Sequence, residues 1–233
     1  MGALQQVLAG YGAAAAATDP FFANVSTLLH MNGSPGSTSF PDVKGKTYTA
    51  FGTASVTATS KFGSGALDAS GTTGNRISTA AHADFNMGTG DFTIELWWSP
   101  TTTYAGGIFP TLFSYGYTTA GGLLAQTSTA LSGAFTFYIN GAGVCTESSG
   151  VTVGSGYHFY QFKRSGTTVT IVRDGVQTAS GTSSANITNT ANLEVGGASS
   201  GGGHRSSGFI DDFRITKAVA RANVVPTAAF PDS

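Results

Sequence analysis

Residues 92–98, Phe-Thr-Ile-Glu-Leu-Trp-Trp, place an apolar side chain at every second position from Phe92 to Trp98. A period of two is the pleat of a β-strand, whose successive side chains leave opposite faces. Trp97 interrupts the polar row of Thr93 and Glu95 with a large aromatic. Both faces of this strand therefore call for cover, which puts it in the middle of a sheet. Weaker versions of the pattern recur along the chain, at residues 25–31, 47–51, 55–59, 108–115, 123–127 and 135–139. They continue at 144–148, 158–165, 168–173, 192–195 and 209–216. The intervals are rich in glycine, 33 residues in all, which supplies the positive-φ positions of tight turns. Asp174-Gly175 between two runs is a type I′ hairpin signal. No segment sustains helical periodicity; residues 217–223 are enough for one short turn of helix. Many short strands joined by tight turns predict an all-β, antiparallel β-sandwich jelly roll forming one domain.

The same composition excludes several classes of function. Only 10% of residues are charged and the net charge is −1, with no basic cluster denser than Lys163-Arg164. Nucleic-acid binding by counterion release lacks its footprint. Cys145 is the single cysteine, so it reads as a buried, inert thiol with no internal disulfide to make. Residues 1–18 form a short N-terminal arm, with Leu4, Val7, Leu8 and Tyr11 ahead of the alanine run 13–17. This arm lacks the basic start of an export signal and is shorter than a membrane span, so neither secretion nor membrane insertion is expected. Residues 19–233 form the domain, and the arm is expected to anchor it.

Seven segments then occur in order from Asp19 onward: DPFFANVSTLLHMNGSPGSTSFPD (19–42), KFGSGALDASG (61–71), GTGDFTIELWW (88–98), KRSGTTVTIVRDGVQ (163–177), LEVGG (193–197), FIDDFRITKAVAR (209–221) and VPTAAFPDS (225–233). Together they resemble the laminin-G-like branch of the concanavalin A-like lectin/glucanase fold, in the version common in bacteriophage virion proteins. The resemblance implies a capsid-decorating or head-fibre subunit on the virion surface. Its arm would hold other virion proteins, and it would form a homo-oligomer, a trimer being the natural choice. The alternative is a tail-associated receptor- or carbohydrate-binding protein, with a glycoside hydrolase third. The resemblance also implies a structural calcium, held by Asp212 before the last strand and by oxygens of Asn32 and Gly33. Asn32 stands where the family pattern often has Asp.

Candidate chemistry is sparse. Glycoside hydrolysis needs two carboxylates flanking one bond, and the Glu-x-Asp-x-x-Glu pattern of glucanases does not occur. Asp211 and Asp212 are adjacent on a strand, so alternation sends them to opposite faces. No catalytic residue is assigned. His30, His82, His158 and His204 are dispersed, and the loop 196–203 has neither the Lys-Ser/Thr nor the helix of a phosphate loop. Sugar sites stack aromatic rings on pyranose faces and add planar polar partners. The candidates are Tyr104, Tyr115, Tyr117, His204 and Arg205 at loop positions; Trp97 is also aromatic but sits where core is expected.

Overall fold

The computed structural model describes residues 18–71, 74–101, 109–127, 133–199 and 204–233. Among these, sixteen strands run in chain order: β1 (Val25–Leu29), β2 (Thr49–Phe51), β3 (Ser55–Thr57), β4 (Ala66–Asp68), β5 (Arg76–Thr79), β6 (Phe92–Pro100), β7 (Phe109–Tyr115), β8 (Leu123–Thr127), β9 (Phe135–Ile139), β10 (Ala142–Thr146), β11 (His158–Ser165), β12 (Thr168–Arg173), β13 (Val176–Thr182), β14 (Leu193–Val195), β15 (His204–Arg205) and β16 (Gly208–Lys217). Two short 3₁₀ turns, Phe22–Asn24 and Ala83–Phe85, are the described helical elements. No described helix is long and apolar enough to cross a membrane.

The strands form two sheets packed as a jelly-roll sandwich. The first has the order β13-β12-β11-β6-β16-β4-β3, with β1 also paired to β16. The second runs β10-β9-β8-β7-β14-β5-β2, with β15 laid parallel on β7. All other pairs are antiparallel. As the alternation demands, β6 is central and buried along its whole length. Phe92, Ile94, Leu96 and Trp98 enter the inter-sheet core beside Phe162, Phe213, Phe113, Phe135 and Phe137. The rings meet edge to face, as between Trp98 and Phe135 at 4.9 Å, the geometry that aromatic quadrupoles favour.

The outer face of the first sheet is covered as well, by the segments entering β1 and leaving β16. Trp97 lies there in a second apolar cluster with Val25, Leu28, Phe159 and Phe230. Asp174 and Gly175 both have positive φ, 50° and 81°, the pair a type I′ turn requires, and they join β12 to β13. Arg164, half of the densest basic pair, is fully buried, and its guanidinium donates to the carbonyls of Gly88, Gly90 and Ala185. It pins the bend that leads into β6. Cys145 is buried, and burial pushes its thiol up to about 11.

Residues 217–223 form no helical turn. Their backbone groups bond to side chains of the sheet instead: Thr93 Oγ1 donates to Val219 O, Gln161 Nε2 to Ala222 O and Lys163 Nζ to Arg221 O. A helix would withdraw those carbonyls.

Candidate functional site

β7 ends at Tyr115, where the chain turns back toward β8, and β14 pairs beside it with Leu193 opposite Tyr115. Tyr115 is not a sugar-stacking residue. It lies in the core, its hydroxyl 2.7 Å from Asn86 Oδ1 and 2.6 Å from the carbonyl of Asn189. Two residues on, the turn reverses direction. Gly116 takes φ 72° and a Cβ there would fall 2.3 Å from Asn189 Nδ2, so only glycine fits. Tyr117 follows with φ 48°, its N–H bonded to Ser114 Oγ, and its ring is half-buried at the surface.

The Tyr117 ring is fixed from behind. His204, buried on β15, meets it edge to face at 5.0 Å, and Tyr117 Oη lies 3.0 Å from His204 Nε2. His204 Nδ1 is 3.1 Å from Thr111 Oγ1, whose hydroxyl donates to the carbonyl of Phe109. Since the threonine proton is committed there, Thr111 accepts from Nδ1–H. Nε2 is then the acceptor for the tyrosine O–H. The result is a directed chain from Tyr117 through a neutral imidazole to the backbone. Burial, which outweighs the field of Glu194, holds the His204 imidazole below its ordinary pKa and keeps it neutral. Phe109 stacks on the histidine at 5.5 Å. Arg205 points away and donates to Gly71 O at 2.6 Å. Tyr104 lies outside the described residues, as do Leu4, Val7, Leu8 and Tyr11.

In front of Tyr117 is a cleft of about 290 Å³, lined also by Thr119, Asn189, Thr190, Asn192, Glu194 and Ser199. Asn189 is held by Thr119 Oγ1, Ala120 O and the Ala191 N–H. Asn192 is exposed, and no internal hydrogen bond engages its amide. Glu194 leaves β14 on the face opposite core residues Leu193 and Val195. Its carboxylate takes Arg76 Nε at 2.7 Å and the Ser199 N–H at 3.0 Å. These partners were not among the sequence candidates. The one signal for them is the polar run Asn189-Thr190-Ala191-Asn192 just before Leu193-Glu194-Val195. Tyr117 and His204 are thus brought together, and Tyr115 and Arg205 are directed elsewhere.

A second cavity, of about 420 Å³, lies under the C-terminal tail on the first sheet. Its floor holds Asp19, Glu95, Arg214 and Arg221. Arg214 donates to Glu95 at 2.6 Å and to Asp19 at 3.0 Å, and Arg221 to Asp19 at 2.6 Å. Burial pushes the Asp19 carboxyl up, but Arg221, the Phe21 N–H and Arg214 together outweigh it and hold it below the ordinary carboxylate range. Two carboxylates clamped by arginines are not a general acid and base. Trp97 offers no platform either, being 3% exposed beneath Phe62 and Lys61.

The side-chain oxygens expected to hold calcium have partners within the protein. Both oxygens of Asp212 are engaged by protein groups, Oδ1 by His30 Nδ1 at 2.6 Å and Oδ2 by the Phe230 N–H at 2.7 Å. Asn32 Oδ1 accepts the Ser64 N–H, and Gly33 N–H is turned toward Ser64 Oγ. Among the described residues no cluster of three or more His, Cys, Asp or Glu has metal-binding geometry. These partners compete with a calcium ion for the side-chain oxygens of Asp212 and Asn32. The opposite-faces expectation for Asp211 and Asp212 yields. A bulge between Asp211 and Arg214, with Asp212 at φ 51°, inserts one extra residue, and both carboxylates bond to groups outside the inter-sheet core. Asp211 Oδ2 takes the N–H groups of Lys61 and Phe62, and burial raises its carboxyl to about 7.

Comparison with known proteins places this geometry in context. The sequence model of the concanavalin A-like lectin/glucanases superfamily matches residues 71–225. No curated protein matches the sequence. Among solved structures, the binding domain of Paraclostridial Mosquitocidal Protein 1 superposes with a TM-score of 0.65 at 15% identity, over 86% of this chain and 50% of that one. The binding domain of Botulinum Neurotoxin DC, in complex with SialylT, gives 0.60 at 10% identity, over 86% and 50%. Domain 4 of the extracellular arabinanase AbnA from Geobacillus stearothermophilus, in complex with arabinotriose, gives 0.52 at 15% identity, over 83% and 92%. The chain thus spans half the length of the two toxin domains. At these identities the likeness shows the fold alone.

Proposed function

The chain belongs to the concanavalin A-like lectin/glucanase superfamily, and from that premise we propose that it is a non-catalytic, glycan-binding module whose sugar site is the Tyr117 cleft. The observation that carries this reading is a half-exposed tyrosine locked by a buried histidine at the mouth of a cleft lined with amides and hydroxyls. A fixed aromatic face stacks on a pyranose ring at little entropic cost, and planar amides read its hydroxyls. Two of the structurally similar proteins are in complex with arabinotriose and with SialylT, which supports a saccharide as ligand. One carboxylate, Glu194, lines the cleft, and its two oxygens are already engaged. Binding without turnover suits that arrangement.

Tyr117→Ala is expected to weaken glycan binding at least tenfold, a loss of about 1.4 kcal/mol, while Tyr117→Phe stays within about threefold. A glycan array followed by titration calorimetry measures both. Unchanged binding by the alanine variant would remove the cleft from consideration.

The setting we propose for this module is the surface of a bacteriophage particle, as a capsid-decorating or head-fibre subunit, or as a tail-associated receptor-binding part. The ordered segments from residue 19 to 233 support it. Deleting residues 1–18 is expected to leave the melting temperature unchanged and to abolish incorporation into particles. Normal incorporation of the truncated chain would sink the anchoring role.

A further inference from the structure

The charge around the cleft is lopsided in a way that bears on which sugars enter. Of the side chains that line it, Glu194 alone carries charge; Tyr117, Thr119, Asn189, Asn192 and Ser199 are neutral. The nearby cations are spent elsewhere. Arg76 gives its Nε to Glu194, its Nη1 to the carbonyl of Gly74, and stacks on Phe51 at 4.2 Å. Arg205 is not among the residues lining the cleft, and its Nη1 donates to Gly71 O. His204, directly behind Tyr117, is fixed as a neutral imidazole by its two hydrogen-bond partners. The segment between Ser199 and His204 is Ser-Gly-Gly-Gly, which brings no charge by sequence.

We infer that this cleft selects uncharged, hydroxyl-rich saccharide units and rejects units that carry a carboxylate or a sulfate. The inference rests on the glycan-binding reading above and specifies its ligand class. The chemistry is direct. A sugar hydroxyl both donates and accepts, and so do the amide of Asn192 and the hydroxyl of Ser199. A carboxylate or sulfate only accepts, and among the described side chains lining the cleft it meets no cation that would offset its desolvation, the one charge there, Glu194, being already paired with Arg76.

The test is titration of matched glycan pairs, identical except for a terminal sialic acid or a sulfate ester, against the wild-type chain, Tyr117→Ala and Asn192→Lys. The neutral member is expected to bind at least tenfold tighter than its acidic partner, and Tyr117→Ala to abolish that binding. Asn192 is exposed and bonded to nothing within the protein, so Asn192→Lys adds a cation at the rim without disturbing the fold. It is expected to strengthen the acidic member at least tenfold, by an amount that shrinks as salt is raised. Equal or tighter binding of the acidic member by the wild type, lost in Tyr117→Ala, overturns the selectivity while leaving the glycan site in place. An acidic member that gains nothing from Asn192→Lys overturns its electrostatic basis. Failure of every pair to bind overturns the glycan reading itself, and the inference with it.

Discussion

Glu95→Ala is expected to cost about 3–5 kcal/mol of folding stability, the range for breaking a buried ion network by removing one partner. Glu95 sits mid-strand in β6, and its carboxylate accepts Arg214 Nε at 2.9 Å, Arg214 Nη2 at 2.6 Å and Gln161 Nε2 at 2.9 Å. Arg214 and Arg221 also share Asp19, so two cations balance two anions, with Asp19, Glu95 and Arg214 buried and Arg221 partly buried. Truncating Glu95 leaves one buried and one partly buried guanidinium group on a single carboxylate and strips Gln161 of an acceptor. A domain of this size loses roughly 2–4 °C of melting temperature per kcal/mol, so the drop is on the order of 10 °C. Glu95→Gln keeps the shape and loses the charge, and is expected to fall between. Urea denaturation at neutral pH measures both, and an alanine variant within about 1 kcal/mol of wild type would show the network to be dispensable. The network also gives the lone acid of the central strand a structural role: through the two arginines it holds Asp19 and β16 together on the sheet.

The pattern is plainest in the long strands, although the three-residue β2, β3 and β14 also fall within expected runs. β6 and β11 carry eight or nine residues, and their inward row of Phe, Ile, Leu, Trp and Tyr is visible by eye. β4 and β5 have three and four residues, too few for an alternation to stand out. β13, Val-Gln-Thr-Ala-Ser-Gly-Thr, lies at a sheet edge and buries almost nothing, so it needs no apolar face; only the hairpin before it betrays it. The site divides along similar lines. Tyr115 and Tyr117 share the same parity, so a period of two cannot separate them; the positive φ of Gly116 and Tyr117 does, by ending the strand between them. Asn189, Asn192 and Glu194 reach the cleft through the pairing of β14 with β7, a contact between segments about eighty residues apart that no local pattern encodes. Asp212 was legible as a residue with a special role, but its partner was not. The bulge that turns it outward needs positive φ at an aspartate, a conformation that residue tolerates without advertising it.

That partner, His30, underlies the second large effect: raising the pH from about 6 to 10 is expected to remove about 2–3 kcal/mol of stability through this one side chain. His30 lies between two carboxylates, Nδ1 at 2.6 Å from Asp212 and Nε2 at 2.7 Å from Asp232. The hydrogen bond to Asp212 raises its pKa, burial opposes, and Asp232 adds to the rise, bringing it from 6.5 to about 9. The folded protein therefore binds the proton more tightly than the unfolded chain. The stabilisation is complete below pH 6.5 and is lost as pH rises through 9, because there the native imidazole gives up a proton that the unfolded one has already lost. The full shift corresponds to about 3 kcal/mol at 1.36 kcal/mol per unit, trimmed because Asp232 is largely exposed and screened. An imidazolium here does what a cation at Asp212 would do, joining β1, β16 and the tail that carries Phe230. Asp211, raised to about 7, also loses stabilisation as pH rises, but over pH 4–7, so the comparison must be made between variants. The stability gap between wild type and His30→Gln, measured by urea denaturation at each pH, is expected to be about 2–3 kcal/mol at pH 6 and to close by pH 10. A gap that stays constant across that window would mean that the histidine is neutral throughout and that the clamp works by hydrogen bonding alone.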